Sequence, residues 1–175
     1  MSTAVEKDNR STVVVIYDDP TTRARALTAC DYLVSQLWEN VELDFYWWRT
    51  DFLNDANMSQ AAANSALSAD FLIICSRGTE NFSKILETWF ESWIRERDKH
   101  EGALIDLSLV PVADDPGRLP SVLRGIAKRG SFDYLASTES SISNQPANRF
   151  SSILPNSIDR LLDHSRRPSR FGLNE

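Results

Sequence analysis

Five short apolar runs divide the chain at nearly regular intervals. Residues 13–17 (VVVIY) and 71–75 (FLIIC) are continuous and rich in β-branched side chains, which is typical of strands buried on both faces of a parallel sheet. Residues 41–48 (VELDFYWW) alternate at first and then become aromatic, and two more runs lie within residues 103–112 and at residues 132–136. The pattern predicts five strands, with residues 71–75 at the centre of the sheet.

Stretches with the helical period lie between these runs. Helices are predicted over residues 20–38, 59–68, 81–94 and 120–128. The third of these has the most regular apolar spacing of the four. Glycine is the usual residue just past a helix end, so Gly130 is predicted to end the fourth helix.

The first helix is marked by its opening residues. Asp19 belongs to the residue types that cap helices, and Pro20 suits the first helical position, where a missing N–H costs nothing. The spacing predicts one apolar stripe on this helix, formed by Leu27, Cys30, Val34 and Leu37.

The alternation of strands and helices determines the predicted fold. Each strand–helix–strand unit makes a right-handed crossover, which gives a parallel sheet covered on both faces. The simplest arrangement is an α/β fold, a flavodoxin-like doubly wound five-stranded parallel sheet of order 2-1-3-4-5. We expect this domain over residues 12–137, after a flexible N-terminus at 1–11. Residues 138–175, rich in Ser, Asn and Pro, are predicted to be a linker and flexible tail with a short helix containing Ile158, Leu161 and Leu162.

Composition and charge exclude several classes of function. Residues 1–138 hold 14 Lys or Arg against 21 Asp or Glu, a net charge of −7, so the acidic body disfavours nucleic acid and anionic membranes as partners. The sequence contains no apolar run of membrane-spanning length and no secretory signal, so we expect a cytoplasmic protein. The two cysteines, Cys30 and Cys75, are too few for a disulfide framework or a zinc cluster.

Two loops are predicted to meet where ligands bind in such sheets, at the carboxyl ends of the first and third strands. Both loops lead into helix N-termini, where free N–H groups and the helix dipole attract anions such as phosphate. Two carboxylates bring negative charge to the same place, and ordinary caps and turns are the alternative interpretation. The candidate ligand-binding residues are Asp18, Asp19, Thr21, Thr22, Arg23, Ser76, Arg77, Gly78, Thr79 and Asn81.

The four tryptophans near these elements fit more than one role. Trp47 and Trp48 end the second strand, and Trp89 and Trp93 lie in the third helix. Large aromatic side chains at strand and helix periods serve burial first, so we expect them to pack between helices and sheet. An aromatic ligand wall and a dimer face are the alternatives.

Three segments carry a resemblance to a known family. The segments VELDFYWWRTDFL, SADFLIICSRGTENFSKILETWFESWI and EGALIDLSLV are similar in order and spacing to flavodoxin-like NAD(P)H-dependent FMN reductases. The resemblance implies FMN as cofactor, with phosphate contacts from Thr21, Thr22 and Arg23. The turn at residues 76–81, which in the family reads Pro-x-Tyr-Asn-Gly, would contact the flavin ring.

The acidic pair after the first strand also resembles response-regulator receiver domains. In that family such a pair, here Asp18 and Asp19, binds Mg²⁺ beside a phosphoacceptor Asp at the end of the third strand. Cys75 or Ser76 stands at the acceptor position, so the resemblance implies a receiver-like scaffold that works without phosphorylation. The segments WWRTDFL and EGALIDL also resemble a group of bacterial proteins of similar size, which supports the fold and implies no activity.

These observations favour two functions. The first is a cytoplasmic, non-enzymatic interaction or signalling module, with another protein or a second copy of the chain as partner. The alternative is a flavin-binding NAD(P)H-dependent oxidoreductase with divergent FMN loops. No catalytic or metal-ligating residue is assigned, because the histidines, His100 and His164, lie at a charged helix end and in the tail.

Overall fold

A five-stranded parallel sheet with helices between its strands forms the described part of the chain. The structure is a computed structural model that describes residues 9–37, 39, 41–98, 100–108 and 118–136. The predicted tail and nearly all of the predicted flexible N-terminus lie outside these residues. The strands are β1 (Arg10–Tyr17), β2 (Glu42–Arg49), β3 (Phe71–Cys75), β4 (Gly102–Asp106) and β5 (Phe132–Ala136). The helices are α1 (Pro20–Leu37), α2 (Ala56–Leu67), α3 (Glu80–Trp93) and α4 (Arg118–Gly130), with short 3-10 helices at Thr50–Asn54 and Ile94–Glu96.

The sheet has the predicted order, β2-β1-β3-β4-β5, and the four strand pairs are all parallel. The α/β, flavodoxin-like architecture is therefore confirmed. β3 and β4 are buried along their whole length, because they lie inside the sheet with helices over them.

The two faces of the sheet carry different helices. The main core cluster joins Val14 and Ile16 of β1 to side chains of α2, α3 and α4, and it includes Trp89 and Trp93, each 2% exposed. The expectation that these two tryptophans pack in the core is confirmed. The connection from β1 to β2 runs toward one edge of the sheet, whereas the later connections run toward the opposite edge. Because each connection is right-handed, α1 lies on the face of the sheet opposite α2, α3 and α4.

The predicted apolar stripe of α1 is only half correct. Cys30 and Leu37 are buried as expected, but Leu27 and Val34 are 42% and 40% exposed. The buried stripe is rotated instead toward Ala26, Ala29 and Leu33. Two alanines bring the helix close to the sheet, so the larger Leu27 and Val34 remain at its flank.

The prediction that Gly130 ends α4 is confirmed, but the reason for a glycine there is different. Gly130 is the last helical residue, and the residue with a left-handed backbone is Ser131, with φ of 58°. A Cβ at position 130 would lie 2.8 Å from Ile94 Cδ1 and from the Phe132 ring, so any larger residue would force these side chains to shift.

Arg97 holds several elements together where the strands begin. Its side chain is 7% exposed, and its guanidinium carbon lies 3.9 Å from the centre of the Phe132 ring. Burial lowers the pKa of Arg97 to about 10, so the guanidinium stays charged at neutral pH. The guanidinium donates hydrogen bonds of 2.8–3.2 Å to the carbonyl oxygens of Ala66, Leu67, Ala69 and Gly130.

Among the residues that the structure describes, none of the helices is long and apolar enough to span a membrane.

Candidate functional site

The two predicted loops lie side by side at the carboxyl ends of β1 and β3. Tyr17 pairs with Cys75 in the parallel register, so Asp18 and Ser76 leave the sheet as neighbours. This is the point at which the strand order reverses, since α1 and β2 lead one way from β1 and the later strands lead the other.

The Asp18 carboxylate joins three strand ends. Its Oδ2 accepts hydrogen bonds from the Ser76 hydroxyl at 2.9 Å and from the Arg77 backbone N–H at 2.8 Å. Its Oδ1 accepts from the Thr50 hydroxyl at 3.1 Å, and Thr50 also bonds the Tyr17 carbonyl at 2.9 Å. The Asp18 side chain therefore points into the loop, where its hydrogen bonds hold the ends of β1, β2 and β3 together.

Asp19 caps α1, as predicted. Its Oδ1 accepts the Thr22 backbone N–H at 2.9 Å, while the Thr22 hydroxyl accepts the N–H groups of Asp18 and Asp19 at 3.0 and 2.9 Å. Oδ2 forms an ion pair with Arg77 Nε. The Thr22 backbone N–H and then the Arg77 side chain hold the pKa of Asp19 below its ordinary value of 3.8.

The second loop is closed by its own hydroxyls. The Ser76 hydroxyl accepts the Gly78 N–H at 2.9 Å, and Gly78 has a φ of 77° that favours glycine. The Thr79 hydroxyl caps α3 by accepting the Phe82 N–H at 3.2 Å.

The structure brings some of the predicted site residues together and leaves others apart. Asp18, Asp19, Thr22, Ser76 and Arg77 form one hydrogen-bonded network, which we call the carboxylate network. Gly78 and Thr79 belong to its second loop. Thr21 and Asn81 are exposed, and the exposed Arg23 lies over the ring of half-buried Trp47 at 5.5 Å.

Sequence analysis missed one member of the network, Thr50. This threonine is 5% exposed and follows β2 directly. The sequence could have indicated Thr50 as a member, because it is a hydroxyl residue at the carboxyl end of the strand that neighbours β1 in the predicted order.

The network leaves little for an anion to bind. Carboxylate oxygens already accept the N–H groups of Thr22 and Arg77, which a phosphate at these loops would need. Arg77 in turn supplies the positive charge that a divalent cation would bring to the acidic pair. Within the described residues, no group of three or more His, Cys, Asp or Glu is placed to hold a metal ion.

The Cys75 thiol at the end of β3 and the Tyr134 phenol of β5 are held in their neutral forms. Cys75 is fully buried and its Sγ lies 3.6 Å from the Leu107 carbonyl oxygen. Burial, with a smaller contribution from nearby carboxylates, raises the pKa of Cys75 to about 12, which removes the thiolate a nucleophile needs. Tyr134 donates a 2.8 Å hydrogen bond to Asp106, and burial and the Asp106 charge raise the pKa of Tyr134.

Comparison with known proteins supports the fold. No protein-family model and no curated protein matches this sequence. A mutant flavo di-iron protein from Thermotoga maritima is 18% identical, with a TM-score of 0.57 over 86% of this chain and 36% of that one. An oxidoreductase from Corynebacterium diphtheriae is 14% identical, with a TM-score of 0.56 over 82% of this chain and 90% of that one. A second mutant of the flavo di-iron protein gives a TM-score of 0.53 at 18% identity.

These similarities establish a shared flavodoxin-like fold and nothing finer, because the identities are low. The chain spans only about a third of the length of the flavo di-iron proteins, 36% in each case.

Proposed function

We propose that this protein is a non-enzymatic interaction or signalling module of the cytoplasm, built on a flavodoxin-like scaffold. The observation that carries the proposal is the carboxylate network. At the position where proteins of this fold bind ligands, side chains of this chain already accept the loop hydrogen bonds.

Electrostatics supports the proposal. Two carboxylates lie in the space that a phosphate would approach, and two like unit charges 4 Å apart repel by about 4 kcal/mol near a protein surface. The Arg77 ion pair with Asp19 offsets only part of this negative charge. An FMN phosphate would therefore have to displace hydrogen-bonded carboxylates and still lie beside them.

The receiver-like features lead to the same proposal. Ser76, at the acceptor position, is fully buried and donates its hydroxyl proton to Asp18. Cys75 is buried beside it as a neutral thiol. Neither residue offers the carboxylate that aspartyl phosphorylation requires, so a receiver-like role would have to proceed through protein contacts alone.

A flavin-binding NAD(P)H-dependent oxidoreductase is the second candidate. It is favoured by the fold shared with proteins described as a flavo di-iron protein and an oxidoreductase. Tyr17 and Trp47 also form an edge-to-face pair beside the first loop, with ring centres 6.3 Å apart. Of the three residues that the resemblance assigns to the FMN phosphate, however, Thr22 is fully buried in the helix cap, and only Thr21 and Arg23 are exposed.

A flavin titration separates the two candidates. The purified full chain, titrated with FMN and followed by flavin fluorescence, should show no saturable binding below about 10 μM, or roughly 7 kcal/mol of binding free energy. Native mass spectrometry of the same preparation should show the mass of the chain without a flavin.

Two variants define the control. If FMN does bind, Thr21→Ala, which removes an exposed hydroxyl at the start of α1, should weaken binding, whereas Thr28→Ala, which removes an exposed hydroxyl further along the same helix, should not. Saturable FMN binding that depends on Thr21 would overturn the non-enzymatic proposal.

A further inference from the structure

His100 lies between two charged side chains at the end of the sheet where the strands begin. It belongs to the connection between the 3-10 helix Ile94–Glu96 and β4, and its side chain is 38% exposed. Its Nε2 atom lies 3.1 Å from Arg97 Nη2 and 3.7 Å from Asp70 Oδ1. One ring nitrogen therefore faces a cation and an anion at the same time.

Arg97 needs one acceptor beyond the carbonyl oxygens that surround it. A guanidinium carries five N–H donors and no acceptor. Four of them reach backbone carbonyl oxygens at 2.8–3.2 Å, those of Ala66, Leu67, Ala69 and Gly130. The remaining N–H, on Nη2, has the His100 Nε2 atom at 3.1 Å and the His100 carbonyl oxygen at 3.4 Å. Since a buried donor requires an acceptor, the ring nitrogen is the better partner.

This contact determines where neutral His100 carries its proton. Arg97 only donates, so Nε2 accepts from it only while Nε2 itself is bare, which assigns the ring proton to Nδ1. The Ala69 carbonyl oxygen also lies 3.2 Å from Nε2, but it already accepts Arg97 Nη2 at 2.8 Å and does not need a second donor. The neutral ring therefore belongs to Arg97.

Protonation of His100 reverses this preference. Both nitrogens of the charged ring are donors, so Nε2 no longer accepts, and a second positive charge lies beside the guanidinium. Asp70, in the turn before β3, offers the opposite charge, and a small rotation of the ring would close the 3.7 Å to hydrogen-bond distance. The other charged groups described in the connection of His100, Asp98 and Glu101, are exposed carboxylates.

Asp70 is held in place to receive the ring. Its Oδ2 accepts the Thr12 N–H at 2.8 Å, and its own N–H donates to the Thr12 carbonyl at 2.9 Å. Its carbonyl oxygen accepts the Ala103 N–H at 2.8 Å, so the residue bonds both β1 and β4. A new partner at Oδ1 therefore changes the carboxylate that the Thr12 amide bonds, which makes that amide a reporter.

We propose that His100 is a pH-dependent switch that exchanges hydrogen-bond partners. The neutral ring accepts the fifth N–H of Arg97, and the protonated ring leaves Arg97 and pairs with Asp70. Arg97 joins α2, α4 and β5, whereas Asp70 bonds β1 and β4, so the ring supports different elements in its two states. Histidine ordinarily changes charge between about pH 5 and 8, which sets the range to be tested. The inference does not depend on the proposed function.

Heteronuclear NMR of the isotope-labelled full chain tests both states, because the two ring nitrogens give separate signals. At about pH 8, His100 should carry its proton on Nδ1, and on titration to about pH 5 the Thr12 amide should move with the same midpoint as the ring. His100→Gln should abolish this movement of Thr12, whereas His164→Gln, at the other histidine of the chain, should leave it. A neutral ring protonated on Nε2 overturns the inference, as does a Thr12 amide that does not follow the ring.

Asp70→Asn tests the exchange by a change in stability. Asparagine keeps an oxygen for the Thr12 N–H, but the protonated ring then lies beside the Arg97 cation without the Asp70 charge that offsets it. The unfolded chain should therefore bind the His100 proton more readily than the folded one, and the urea midpoint of Asp70→Asn should fall more than that of the wild type from about pH 8 to 5.5. Adding His100→Gln to Asp70→Asn should remove the extra fall. Equal pH dependence in Asp70→Asn and the wild type overturns the exchange of partners.

Discussion

Asp19 stabilises the start of α1 most strongly while its carboxylate is charged. Its pKa is lowered from 3.8 by the Thr22 N–H and then by Arg77, so the folded state favours the ionised form. A group with a lowered pKa contributes stability above its unfolded-state pKa, and this stability is lost as the pH falls through the folded-state pKa.

We therefore expect a pH-dependent difference between the wild type and Asp19→Asn, which keeps the cap but not the charge. The difference in free energy of unfolding, from urea titrations, should be constant above about pH 5 and shrink as the pH falls below about 4. Asp133→Asn, a change at an exposed residue of β5, serves as the control. A difference for Asp19→Asn that stays unchanged down to about pH 2 would contradict the assignment.

Asp18 provides a second test at the residue scale, based on unsatisfied donors. Asp18→Ala leaves the buried Ser76 hydroxyl and the Arg77 N–H without their acceptor, which should lower the free energy of unfolding by about 2–3 kcal/mol. Asp18→Asn keeps an acceptor oxygen and should cost less than half as much. Urea unfolding measures both variants, and equal losses would show that the acceptor is not what matters.

The residues of the site show how far sequence reasoning reaches. The Asp19 cap was predictable, because a cap depends on residues three positions apart. The bonds from Ser76 and Thr50 to Asp18 cross 58 and 32 positions of the chain, so local patterns do not contain them. The predicted strand order brought the loops together, but the question of which donors the carboxylates would accept needed the structure.

At the scale of elements, Arg97 connects α2, α4 and β5. It satisfies carbonyl oxygens at the ends of α2 and α4 and stacks on Phe132 of β5. Arg97→Ala should lower the free energy of unfolding by at least about 3 kcal/mol, since several buried carbonyls lose their donor. Arg97→Lys should lower the free energy of unfolding by less than Arg97→Ala does, because it keeps the charge and some donors. It should still be less stable than the wild type, because an ammonium has fewer donors and no planar face to stack on Phe132.

Denaturant unfolding measures this prediction, with Arg95→Ala as the matched control, because Arg95 is exposed in the 3-10 helix that Arg97 directly follows. A loss for Arg97→Ala no larger than that for Arg95→Ala would mean that water satisfies these carbonyls as well as the guanidinium does.

Element boundaries were predictable where apolar runs define them. The bounds of β3 and β5 agree with the prediction, but β1 begins at Arg10, because its polar first residues pair with β2 and the Thr12 N–H bonds Asp70. α2 begins at Ala56, earlier than predicted, because Asp55 caps it by accepting the N–H groups of Asn57 and Met58. Alanine-rich spacing alone gave no sign of that start.

At the scale of the whole molecule, the order of the sheet followed from few rules. Continuous apolar strands require cover on both faces, and right-handed crossovers then leave few arrangements for five strands. The same rules placed β2 at one edge of the sheet. The absence of any buried residue in β2 did not follow from them, since its aromatic sequence is equally typical of a buried strand.

The extent of the folding unit is the remaining prediction at this scale. The five strands and the helices between them end at Ala136, so a shortened chain ending at Ser137 should fold on its own. Thermal melts of the full and shortened chains should agree within about 4 °C, roughly 1 kcal/mol for a domain of this size. A much larger loss in the shortened chain would show that Ile158, Leu161 and Leu162 contribute to the core and that the domain extends beyond residue 137.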